Sequence, residues 1–228
     1  MEKGRGGTIW SRAWLGSLLF LSGMIALIYE GAWQREFALH FGSAAPATAA
    51  VLAAYFGGLG LGAWAVGKVS ANVRRPLVAY AALECVIGIG AVLVSPVLGI
   101  YSKIYPELFG RFHGMDSFLV IKGVLAFLSI ALPTIAMGGT LPLLARIFDG
   151  ERRDFGRQMG WLYVLNTVGA AVGALGFPYV LGVAGLKITT LLCAAGNIAI
   201  GVAALVLARR VPAVRWKVEV QKGAAAGD

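Results

Sequence analysis

Six stretches of this chain are long and apolar enough to cross a bilayer as helices: 14–33, 48–66, 77–100, 118–145, 159–181 and 188–208. A spanning helix needs about 20 apolar residues, because the hydrocarbon core is about 30 Å thick and each residue rises about 1.5 Å. Inside that core every backbone polar group must be satisfied by the protein itself, which leaves helices or a closed barrel. Continuous apolar runs of this length read as helices. The expected fold class is therefore all-α, a polytopic bundle of six transmembrane helices. Residues 14–208 form the membrane domain, with a cytoplasmic N-terminus over 1–13 and a flexible cytoplasmic tail over 209–228.

Composition excludes the main soluble alternatives. Of 228 residues, 58% are hydrophobic and 14% charged, whereas a soluble domain carries about 25% charged residues. The net charge of +9 would suggest nucleic acid in a soluble protein. In a membrane chain it marks cytoplasmic loops that meet anionic lipid. The lipid bilayer is the expected partner and nucleic acid is not. Basic residues gather before the first span, around Lys68 and Arg75, between Arg146 and Arg157, and in the tail. The opposite side has only Arg35, Lys103, Arg111 and Lys187. This asymmetry predicts both termini in the cytoplasm.

The fifth run, WLYVLNTVGAAVGALGFP over 161–178, is expected to be the central helix. Gly169 and Gly173, four apart, reduce one face to backbone and admit a neighbouring helix closely. Gly58 and Gly62 provide the same spacing in the second run. Tyr163, Asn166 and Thr167 are polar groups that would be costly in lipid and so are expected to face protein or a cavity. Pro133 and Pro142 predict a kink or a break in the fourth span. The 101–117 connection is expected to hold a short amphipathic piece at the interface.

Few residues suggest chemistry. Gly62, Gly67 and Lys68 fit most of a phosphate-binding loop, but Val69 stands where a magnesium-holding Ser or Thr is needed and no strand precedes it. His40 and His113 read as separate interfacial side chains, and Cys85 and Cys193 as small core residues. No metal site, cofactor or catalytic set is expected. The intramembrane charges Glu30, Glu84 and Lys122 are more informative, since an ionisable group at that depth usually faces a cavity or a partner. Glu84 is expected to face the interior, hydrogen-bonded to Tyr163 and Asn166. Glu30 lies beside Tyr29 and close to Trp33, either in an ion pair with Lys122, snorkelling to the interface, or in a functional role.

The 61–77 connection and the glycine-rich fifth run resemble major facilitator transporters, although Ala71 and Asn72 replace the acidic residue of that loop signature. Six spans would make one half of such a fold, itself an inverted repeat of three plus three. More specifically, FLSGMIALIYEGAWQR over 20–35, LPTIAMGGTLPLLAR over 132–146 and YVLNTVGAAVGA over 163–174 resemble membrane-embedded spermidine synthase-like proteins. The likeness runs from about 14 to 210. In that family a helical membrane domain commonly accompanies a cytoplasmic aminopropyltransferase domain, and this chain stops where that domain would begin. The resemblance implies a non-catalytic membrane portion in a bacterial cytoplasmic membrane.

The expected function is binding or transport of a small polar, cationic, polyamine-like solute. Glu30 and Glu84 would supply charge, Tyr29, Trp33 and Tyr163 aromatic faces, and Asn166 a hydrogen bond. Two alternatives stand beside it: a structural subunit of a larger membrane complex, and a membrane anchor for a separate soluble synthase. A homo-oligomer suits the first reading and other membrane subunits the second.

Overall fold

The computed structural model describes residues 3–41, 44–111, 115–148 and 155–209. The fold is all-helical: α1 (Lys3–Phe41), α2 (Ala44–Ser70), α3 (Pro76–Arg111), α4 (Met115–Ala145), a short 3-10 turn (Arg146–Phe148) and α5 (Phe155–Ala208). All five α-helices are long and apolar enough to cross a membrane. Their exposed side chains include Leu175, Val183, Phe56 and Ile89, a surface suited to acyl chains rather than water.

The fifth and sixth apolar runs are one helical element of 54 residues, interrupted at Gly185, whose φ of 72° and ψ of 170° are non-helical. As a straight rod it would be about 80 Å long, far beyond a bilayer. It is not straight. A side-chain carbon added at Gly173 would meet the Met24 carbonyl, and one added at Gly196 would meet Ile25. Two sites 23 residues apart on α5 thus touch adjacent residues of α1, so the chain reverses between them. Gly185 stands at the midpoint. Its conformation is accessible essentially to glycine alone, which lets the reversal occur without a loop.

The remaining contacts set the directions of the helices. Gly16, Phe20, Met24 and Gly31 of α1 meet Trp161, Gly169, Gly173 and Phe177 in that order, so α1 and the first arm of α5 (155–184) run parallel. Gly58 and Gly62 of α2 lie against Thr134 and Ile135, while Gly138 and Gly139 of α4 lie against Leu59 and Val66. That pair is also parallel, with glycines contributed from both sides. Ala81 and Gly88 of α3 meet Gly201 and Ala194, so α3 and the second arm (186–208) run antiparallel. Gly90 and Leu83 connect α3 to Pro133 and Gly139 of α4.

Several expectations are corrected here. The central helix is α1: Leu19, Tyr29, Trp33 and Phe37 are wholly buried. The first arm of α5 is peripheral, with Leu175 84% and Tyr179 77% exposed. Gly169 and Gly173 give it one close face, and its other faces carry large apolar side chains. The first span begins at Ala13, next to the expected start, and runs on to His40, within a helix that starts at Lys3. Beyond the span that ends at Ile100, α3 continues as helix through the first part of the 101–117 connection to Arg111, and α4 begins at Met115. Of the kink or break expected at Pro133 and Pro142, the break does not occur: both lie within α4, which is continuous from Met115 to Ala145. A proline removes one backbone donor there, and packing on both α2 and α3 outweighs that loss.

The α2–α3 connection is tight. Asn72 N–H and Val73 N–H donate to the carbonyls of Val69 and Ser70, and Pro76 opens α3, where a missing N–H costs nothing. Lys68 Nζ lies 3.9 Å from the Trp64 ring at this end of α2, a snorkelling arrangement suited to a headgroup boundary.

Candidate functional site: a buried carboxylate between three helices

Glu84 of α3 is completely buried. Helical spacing puts it there: Leu77, Tyr80, Ala81, Glu84, Ile87, Ala91, Val94 and Leu98 recur every three or four residues and form the inward stripe of α3. It lies eight residues into α3, about 12 Å along the axis. On α1, Ser22 and Tyr29 share a face because seven residues make nearly two turns. On the second arm of α5, Cys193 and Asn197 are one turn apart. These three stripes converge.

Ser22 Oγ donates to Glu84 Oε1 at 2.7 Å, and Asn197 Nδ2 donates to Glu84 Oε2 at 2.7 Å. One donor thus comes from α1 and one from α5, each on its own carboxylate oxygen. Tyr80 lies one turn before Glu84, beside both the carboxylate and Ser22, yet its hydroxyl makes no aligned hydrogen bond. Tyr29 is within electrostatic reach of Glu84 and of Cys193. The Tyr29 hydroxyl, the Tyr80 hydroxyl and Asn197 Oδ1 are buried without hydrogen-bond partners among the described residues. A buried unsatisfied group costs about 1–3 kcal/mol, so three in one cluster call for an explanation. Among the described residues, none of the groups acting on Glu84 is cationic.

A second polar position lies further along α1. Gln34 Nε2 donates to Glu30 Oε1 at 2.7 Å, and the Glu30 side chain is mostly buried. An aromatic series joins the two positions. Tyr29 stacks on Trp33 with ring centroids 5.3 Å apart and planes 9° apart. Trp33 then meets Tyr55 of α2 at 6.3 Å, and the Tyr55 hydroxyl donates to the Ala26 carbonyl at 3.2 Å. Trp33 Nε1 has no partner.

The expected site residues therefore divide. Glu84, Tyr29, Trp33 and Glu30 lie in the interior around α1. Tyr163 does not join them: it is 59% exposed on the outer face of α5. Asn166 packs against Gly23 of α1, but the amide that bonds Glu84 belongs to Asn197. The physical reason is the position of the first arm, whose single close face is taken up by the α1 backbone. Ser22, Tyr80 and Asn197 were not expected. Asn197, the only amide in the last apolar run, was the available signal. His113 lies outside the described residues, as does the Lys122 side chain, while His40 Nδ1 is 2.8 Å from the Glu36 carbonyl of its own helix.

An open groove of about 490 Å³ lies elsewhere, between Ala13, Gly16, Phe20, Trp161 and Leu165, with Ser17 its polar member. None of the site residues lines it. Among the described residues no group of three His, Cys, Asp or Glu is placed to hold a metal ion. In comparisons with known proteins, no family model, curated protein or solved structure matches this chain.

Proposed function

We propose that this chain is a six-span membrane unit, with both termini cytoplasmic, that binds or moves a small cationic solute at Glu84. One observation carries the reading: a carboxylate buried among three helices, held by two neutral donors and, among the described residues, without a cationic partner. An uncompensated charge in a low-dielectric interior is expensive. A cationic solute would supply the missing charge and could use the Tyr29 and Trp33 faces.

The pairing of helices supports a half-transporter arrangement. Counting the arms of α5 as spans five and six, exchanging spans one to three with four to six turns the α1–α5 pair into the α4–α2 pair. The same exchange returns the three–six pair to itself. Two parallel pairs and one antiparallel pair have the symmetry of a three-plus-three inverted repeat. The likeness to spermidine synthase-like membrane domains makes polyamines the organic cations to test first, in a bacterial cytoplasmic membrane. On this reading the chain itself transfers no aminopropyl group.

The test is equilibrium binding of labelled polyamines, methylammonium and alkali cations to the protein in nanodiscs. Saturable binding that is lost in Glu84→Gln supports the proposal. A second reading, a subunit or anchor within a larger complex, is favoured by the exposed Leu175, Tyr179 and Val183, which recur every four residues on one side of α5. Absence of cation binding, together with stoichiometric co-purification of membrane subunits or a soluble synthase in mild detergent, would replace the first reading with the second.

A further inference from the structure

We infer that the Glu84 cluster is a site for a dehydrated alkali-metal cation, with Glu84, Ser22, Asn197, Tyr80 and Tyr29 as its oxygen donors. The inference rests on reading Glu84 as a cation site and names the class of its occupant.

The donor set points to this chemistry. Every candidate ligand is an oxygen: a carboxylate, an aliphatic hydroxyl, an amide carbonyl and two phenols. Oxygen-only sets suit hard cations, whereas softer metals select imidazole and thiolate. The orientation of Asn197 is specific. Its Nδ2 is fixed on Glu84 Oε2, which leaves Oδ1 as a buried acceptor without a donor. The Tyr29 and Tyr80 oxygens are likewise unpartnered, and an ion coordinates oxygen lone pairs without requiring a particular proton arrangement. The bonds already made to Glu84 leave lone pairs free on both carboxylate oxygens and on Ser22 Oγ.

Charge and access narrow the class. One carboxylate neutralises one positive charge, so a divalent ion would remain uncompensated, and calcium sites recruit six to eight oxygens, usually with several carboxylates. A water molecule could satisfy the orphan atoms and a proton could neutralise Glu84 with no ion bound; neither would make stability depend on which alkali cation is present. Glu84, Tyr80 and Tyr29 are wholly buried, Asn197 is 1% exposed and Ser22 8%. An occupant held by all of them is separated from bulk water, which suits a bare ion better than the head of a long organic cation. Ser22, Glu84 and Asn197 belong to α1, α3 and α5, so the ion would join helices from both halves of the bundle.

The experiment measures thermal unfolding of the full chain in nanodiscs, in sodium, potassium, methylammonium and choline chloride at equal ionic strength. Sodium or potassium should raise Tm saturably relative to choline, by about 5–10 °C at about one hundred times Kd. Glu84→Gln should abolish the rise. Tyr80→Phe removes one candidate oxygen beside Glu84 and Ser22, so it should weaken the alkali response several-fold, read as the rise over that variant's own choline Tm. A structural role alone would not move that response. If methylammonium or a polyamine raises Tm in a Glu84-dependent way and neither alkali cation does, the alkali inference is overturned and the cationic-solute reading stands. If Tm is the same in every salt and no cation binds, both fall.

Discussion

The close approach of α1 to the first arm of α5 can be tested by adding a single methyl group. In Gly173→Ala the new carbon would lie 2.9 Å from the Met24 carbonyl carbon and 3.0 Å from its Cα, and closer still to the carbonyl oxygen. Ordinary carbon–carbon contacts are about 3.5–4.0 Å, so the helices must separate by roughly 0.5–1 Å, which forfeits about a quarter to a half of each pair's dispersion well. Backbone cannot rotate aside as a side chain can. The expected cost is in the usual range for overpacking, about 1–3 kcal/mol. At about 2–4 °C per kcal/mol for a chain of this size, Tm should fall by about 2–12 °C in nanodisc thermal-shift measurements. Gly176 is the control, on the same arm with nothing within 4 Å of an added carbon. There, Gly176→Ala should be neutral or stabilising by about 0.5–1 kcal/mol, through reduced backbone freedom in the unfolded chain. Gly169→Ala meets the Phe20 carbonyl in the same way, so the Gly169/Gly173 double variant should lose less than the sum of the singles, the helices having already moved apart. Wild-type stability in Gly173→Ala, with a loss in Gly176→Ala, would refute the assigned face.

Other expectations follow from single features. Gly185→Ala meets no atom within 4 Å, so its cost of about 1–3 kcal/mol would come from backbone conformation alone; an unchanged Tm would show that the arms do not reverse there. Asn197→Leu removes a donor to a buried carboxylate and should cost about 1.5–3 kcal/mol by the scale for charged hydrogen bonds, with Ser22→Ala milder because alanine leaves room for water. Equal and negligible losses in both would mean that Glu84 is held some other way. For topology, single cysteines at Ser102 and Ala71, both exposed, in a background lacking Cys85 and Cys193 should label from outside and inside the cell, respectively. The reverse pattern would invert the orientation.

How much of this was legible in the sequence depends on whether the information was local. Run lengths announced the membrane helices, and a carboxylate eight residues into an apolar helix announced that Glu84 had to be sheltered. Its partners were not legible, because periodicity specifies the face of a helix but not which helix covers it. Tyr163 and Asn166 sat at a plausible depth, yet Ser22 and Asn197 took the contacts. The central helix was misplaced for a related reason. Gly169 and Gly173 advertise one close face, whereas centrality requires cover on several faces, as α1 has from α2, α3 and α5. The break at Gly185 falls in the 182–187 gap between the fifth and sixth apolar runs, although no proline or polar cluster in GVAGL marks the residue at which it occurs.

The pairing of the first helix with the last has a consequence for biogenesis. Ser22 emerges from the ribosome 175 residues before Asn197, and at translation rates of about 5–20 residues per second that interval lasts roughly 10–35 s. During it α1 resides in the bilayer without its α5 partner, and Glu84 enters with only the α1 half of its hydrogen bonding within reach. The glycine faces at 16, 23 and 31 of α1 remain open to any other small-faced helix nearby. The membrane insertase, or a holding chaperone within the bilayer, would have to shield them until the Gly185 hairpin arrives.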